Sequence, residues 1–101
     1  MIIVTGSVLA KTGCEERLLA LGLEHVRRSR KEPGCISHAV YRDAENPRRL
    51  VFLEEWSERG ALIAHFAVPA SRAFVQAAGE LADGAPQLRM YEANEIRLLP
   101  D

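Results

Sequence analysis

Hydrophobic and polar positions alternate with two different periods along this chain, and the switches between them divide it into elements. Ile2 to Ala10 is rich in β-branched and apolar residues and predicts a first strand. Thr12-Gly13-Cys14-Glu15 follows, a hydroxyl with a glutamate three residues on, which is the pattern of a helix capping box. Leu18, Leu19, Leu23 and Val26 then recur at helical spacing, with Glu16, Arg17, Glu24, Arg27 and Arg28 between them, and His25 is expected on the solvent side. Glu32-Pro33-Gly34 ends that helix, because the residue before a proline disfavours helical geometry. Cys35 to Arg42 predicts a second strand, Asp43 to Arg48 a polar turn of moderate length, and Leu50 to Trp56 a third strand. Ser57 is placed to cap a helix over about Glu58 to Ala67. Pro69 interrupts it and suits the first turn of a further helix running to about Ala82. Leu88 to Ile96 predicts the last strand.

The order β-α-β-β-α-β is the split βαβ plan, a four-stranded antiparallel sheet with helices on one face. A chain of 101 residues has room for one such domain over 1–101 and buries a modest core. Along the third strand, Leu50, Phe52, Glu54 and Trp56 fall on one face and Val51, Leu53 and Glu55 on the other. Both faces are largely apolar. The sheet face without helices is therefore expected to be covered, most economically by a second copy of the chain.

Composition removes several classes of function. Thirteen basic against fourteen acidic residues lack the basic footprint that nucleic-acid binding needs. The densest basic group, Arg27, Arg28, Arg30 and Lys31, sits at a helix end, where cations favour the helix dipole. No apolar run approaches the roughly 18 residues of a membrane span, and the first residues resemble a strand rather than a secretory signal. A cytoplasmic protein with no membrane partner is the expectation, with Cys14 and Cys35 as free thiols. His25, His38 and His65 lie scattered without metal-ligand spacing, so no metal is expected.

An ordered set of residues carries a family resemblance over nearly the whole chain: Glu32-Pro33-Gly34-Cys35, Tyr41-Arg42-Asp43, Asn46-Pro47, Glu54-Glu55-Trp56, Ala61-Leu62, His65 and Arg72-Ala73-Phe74. Together they resemble the antibiotic biosynthesis monooxygenase family, including its quinol monooxygenase branch. The resemblance implies a ferredoxin-like fold that pairs into a dimeric α/β barrel. It also implies oxidation of a small phenolic, quinol or polyketide-like aromatic substrate by molecular oxygen, with no cofactor. Haem-degrading relatives carry a ligating histidine near the position of Val75, and no histidine follows His65 here.

Within that frame His65 is the candidate acid–base group, since imidazole can take a phenol proton near neutral pH. Trp56 offers a flat face and one N–H donor to an aromatic ligand, or else serves as a large core or interface residue. His38, Phe52, Glu54, Phe66 and Phe74 complete the expected pocket. Glu54 needs a partner in an apolar setting, with Arg72 or Arg89 as candidates, in a buried ion pair at the dimer interface. Phe52 stands where some antibiotic-making members have an amide, and it cannot donate a hydrogen bond. That substitution supports an alternative function, a non-catalytic dimer that binds a small aromatic or apolar ligand.

Overall fold

The computed structural model describes residues 1–100. Its elements run β1 (Ile2–Leu9), α1 (Glu15–Ser29), β2 (Cys35–Asp43), β3 (Asn46–Trp56), α2 (Arg59–Ala67), α3 (Pro69–Leu81) and β4 (Gln87–Glu92). The four strands form one antiparallel sheet in the order β2-β3-β1-β4, the ferredoxin-like α+β arrangement. No helix among the described residues is long and apolar enough to cross a membrane.

The register sets the two faces. Ile2, Val4, Gly6 and Val8 of β1 stand opposite Trp56, Glu54, Phe52 and Leu50 of β3, while His38 and Val40 of β2 stand opposite Glu54 and Phe52. All of these side chains point toward the helices. Val8, Leu18, Val26, Leu50, Phe52, Ala78 and Leu81 build one core cluster, and Ile2, Val4, Trp56 and Leu62 build a second. Gly22 lets α1 settle onto the sheet, since a Cβ there would come within 3.0 Å of Phe52 Cζ. Phe52 and Trp56 therefore lie under the helices, and the open sheet face does not carry them. That face is apolar for another reason: Tyr41, Leu53 and Tyr91 stand on it about half exposed.

Several local expectations differ from the structure. Thr12 does not cap α1. Gly13 takes φ of 88° between Thr12 and the helix, the N-cap is Cys14, and the Glu15 carboxylate accepts the Gly13 N–H at 3.2 Å. Ser57 does not cap α2: the helix starts one residue later than that role requires, with Glu58 at the N-cap. The β2–β3 connection is tighter than a loop from Asp43 to Arg48. Asp43 pairs with Asn46, and the Asp43 and Asn46 side chains accept the N–H groups of Glu45 and Arg48. Such side-chain turns close a hairpin early. The last strand stops at Glu92, four residues before the expected Ile96.

A polar cluster at the end of an apolar pocket

The polar groups converge because four elements each deliver one or two of them to the same place. On α1 the buried residues are Leu18, Gly22, His25, Val26 and Ser29. His25 follows Leu18 by seven residues, so it lies within the inward stripe and is 5% exposed. The expectation that it faces solvent is incorrect. His38 comes from β2, Glu54 and Trp56 from β3, and His65 from α2. The three histidine rings sit 5.3–5.6 Å apart by centroid. Spacing along the chain scatters them; the sheet register and the inward faces of α1 and α2 bring them together.

Each ring has a definite neighbour. Glu32, from the Glu32-Pro33-Gly34 turn, lies 2.9 Å from His65 Nδ1. A carboxylate only accepts, so Nδ1 carries a proton, and in the neutral ring the lone pair lies on Nε2. On His25 the logic reverses. Arg28 Nη2 lies 3.0 Å from His25 Nδ1, and a guanidinium only donates, so Nδ1 accepts and Nε2 carries the proton. The same Arg28 nitrogen donates to the Ala70 carbonyl at 3.1 Å, which ties α1 to the start of α3. His25 also stacks on Phe74 with ring centroids 4.1 Å apart and planes 7° from parallel. Burial, followed by the neighbouring His38, His65 and Arg28, pushes the His25 pKa down to about 3, so this ring is neutral at physiological pH.

Glu54 is paired within its own sheet rather than with Arg72 or Arg89. Trp56 Nε1 donates to Glu54 Oε1 at 2.9 Å, and His38 Nε2 lies 3.2 Å from the same oxygen. The His38 contact has ion-pair distance without the alignment of a full hydrogen bond. Burial alone would raise the Glu54 carboxyl. The close His38 ring, the Trp56 N–H and the nearby His65 outweigh it, and hold the carboxyl below its usual range. Cys35 behaves oppositely: partial burial, then Glu32 and Glu54, push its thiol up, away from nucleophilic use. Both cysteines are free.

Beside this cluster lies a cavity of about 320 Å³ between the sheet and α2–α3. Phe52, Phe66, Phe74, Val75 and Leu88 form its apolar wall, and His25, Glu54, His65 and Ser71 reach its surface. The Ser71 hydroxyl is buried and has no hydrogen-bond partner among the described residues. Of the expected pocket residues, Phe52, Glu54, His65, Phe66 and Phe74 line the cavity. His38 and Trp56 do not. Trp56 is fully buried behind His65, with ring centroids 4.7 Å apart, and His38 is 2% exposed between them and Glu54. Reasoning from sequence missed His25, Glu32, Arg28 and Ser71. Only His25 left a signal, its place in the stripe of α1.

A nitrogen of each histidine lies within 4.8 Å of one from the others, which raises the question of a metal. A ligating nitrogen must offer a lone pair. His65 and His38 have one to offer, but Arg28 leaves His25 with a proton on Nε2. The donor set fits a metal poorly.

The comparisons agree with the fold. The family model described as antibiotic biosynthesis monooxygenase matches residues 1–77. That span holds every member of the polar cluster, whereas Ala78, Gly79, Ala82, Pro86, Gln87 and Leu88, which also line the cavity, fall outside it. An uncharacterised protein of Synechocystis sp. is 33% identical over 98 residues, 97% of this chain and 67% of its own length. A Deinococcus radiodurans structure that carries the same family name superimposes with a TM-score of 0.92 at 25% identity, over 100% of both chains. A conserved protein of Methanosarcina mazei Go1 gives a TM-score of 0.87 at 27% identity, over 92% of each chain.

Proposed function

The chain belongs to the antibiotic biosynthesis monooxygenase family, and from that premise we propose that its cavity takes a small phenolic or quinol ring and oxidises it with molecular oxygen, without a bound cofactor. The observation that carries the reading is His65. It stands at the polar end of an otherwise apolar cavity, with Glu32 behind it and one nitrogen free to accept a proton. A cavity of about 320 Å³ is small for a ligand site and suits one or two fused rings. Phe52, Phe66 and Phe74 would pack the ring, and its hydroxyl would meet His65. Proton removal leaves an electron-rich phenolate, which reacts with oxygen more readily than the neutral phenol. Trp56 acts here through Glu54 and His65, behind the cavity wall.

A second reading, ligand binding without turnover, is favoured by Phe52, which offers no hydrogen bond to a ketone or enolate oxygen. One experiment separates the two. Metal-stripped protein is incubated with a panel of hydroquinones while oxygen uptake and thermal unfolding are both followed. Uptake above the uncatalysed rate supports the oxygenase. A thermal shift without uptake supports binding alone. Neither response across the panel refutes the site.

The working unit in this reading is a homodimer. Tyr41, Leu53 and Tyr91 leave the open sheet face apolar, β4 is exposed along its whole length, and Ile96, Leu98 and Leu99 in the segment after it are 70–84% exposed. A second copy laid on that face would cover all three features.

A further inference from the structure

We propose that His25 and His65 hold a single ligand hydroxyl between them, His65 Nε2 accepting its proton and His25 Nε2–H donating to its oxygen, with Glu32 and Arg28 positioning the two rings in opposite tautomers. The proposal rests on the reading above, that the cavity takes a hydroxylated ring.

Both histidines line the cavity, and both have their other nitrogen occupied. Glu32 cannot donate, so a neutral His65 presents its lone pair at Nε2; Arg28 cannot accept, so a neutral His25 presents its N–H there. One nitrogen of each ring lies within 4.8 Å of a nitrogen of the other. Two hydrogen bonds of about 2.8 Å meeting at a tetrahedral oxygen span roughly 4.6 Å, a separation inside that bound. Ether and ketone oxygens would satisfy His25 alone and leave the His65 lone pair buried without a proton. An amine would satisfy His65 alone. A hydroxyl satisfies both, which makes the pair a reader of that group.

The proton balance is simple. The ligand O–H bond breaks, its electron pair stays on oxygen, and the proton joins His65 Nε2. The resulting imidazolium faces Glu32, whose second carboxylate oxygen is buried with no partner among the described residues. The oxyanion keeps the His25 N–H. Because His25 is neutral, it stabilises the anion by a dipole and does not compete as an acid.

The two supports are built into the fold. Gly34 sits against α2, where a Cβ would come within 2.5 Å of Ala61 Cβ, and its carbonyl accepts the Ser57 N–H. The turn that carries Glu32 is thereby locked to the helix that carries His65. Arg28 is anchored at the α3 end by the Ala70 carbonyl.

The test uses 4-nitrophenol, whose ionised form absorbs in the visible, titrated with protein one pH unit below its solution pKa. The expected result is binding with growth of the phenolate band. Glu32→Gln should keep dye binding, read by calorimetry, within about threefold, while the bound phenolate fraction falls at least about tenfold, since a charge-assisted bond to the imidazolium is lost. Glu32→Asp, which keeps the charge, should restore part of the band and serves as the readout if the glutamine variant does not fold. His25→Phe keeps the stack on Phe74 and should weaken binding about tenfold. Dye that binds wild-type protein in its neutral form overturns the histidine pair and leaves the pocket reading standing. A phenolate band unchanged by both Glu32 variants also overturns it. Dye that does not bind overturns the pocket reading together with the pair.

Discussion

Replacing Gly34 with alanine tests how firmly the Glu32 turn is held against α2. Gly34 has φ of 81°, a conformation that costs an L-residue about 1–2 kcal/mol. The added Cβ would also stand 2.5 Å from Ala61 Cβ and 2.8 Å from Ser57 Oγ. The Ser57 hydroxyl can rotate away, but Ala61 has no rotamer to change. Overpacking of this kind adds about 1–3 kcal/mol. Gly34→Ala should therefore lose about 2–5 kcal/mol in urea unfolding, with the thermal midpoint falling roughly 4–8 °C for each kcal/mol. The steric share can be separated by a double-mutant cycle with Ala61→Gly. Glycine there costs about 1 kcal/mol of helix propensity by itself, so the cycle, not the double variant alone, gives the contact. A coupling of about 1–2 kcal/mol in favour of the double variant is expected. A loss under about 0.5 kcal/mol for Gly34→Ala, or additivity in the cycle, would refute the clamp.

Two further outcomes follow from the same geometry. His25 is neutral in the fold, with its pKa pushed down to about 3 from 6.5, so below pH 6.5 the unfolded chain takes up a proton that the folded chain refuses. Its contribution is complete above pH 6.5 and is lost as pH falls toward about 3. Between pH 6 and 5, before the Glu54 carboxyl adds a loss of the same sign, stability should fall by up to about 1.4 kcal/mol per pH unit. His25→Phe should flatten that slope in denaturant titrations, and an unchanged slope would place the proton elsewhere. Sedimentation at micromolar concentration should give a dimer, and Leu53→Lys on the open sheet face should shift it toward monomer; a wild-type monomer would remove the barrel arrangement.

Much of the fold was legible in the chain because its signals are local. Proline and glycine punctuate it at Pro33-Gly34, Pro69 and Gly84, and the change from two-residue to helical spacing marks each element. Cap residues were less legible. Thr12 and Ser57 have the right chemistry, but the helices begin after them, with Cys14 and Glu58 at the N-caps. The site was legible as a set of residue types and illegible as an arrangement. Nothing in the spacing of His25, His38 and His65 reveals that two helices and a strand bring them within one small volume. Alternation put Phe52, Glu54 and Trp56 on one face correctly, yet it could not tell which face the helices would cover.

The division of the cavity between two stretches of chain has a consequence for how such a protein can change. The groups proposed to read and move a proton come from α1, the turn after it and α2. Much of the wall that touches the rest of a ligand comes from α3, β4 and the connection between them. Substitutions at the exposed Val75 or Leu88 can widen, narrow or tilt the space without disturbing Glu32, His65, His25 or Arg28. Selection can thus exchange one ligand for another while the chemistry stays in place. Altering the chemistry requires coordinated change in segments that also hold the core together, a far narrower path.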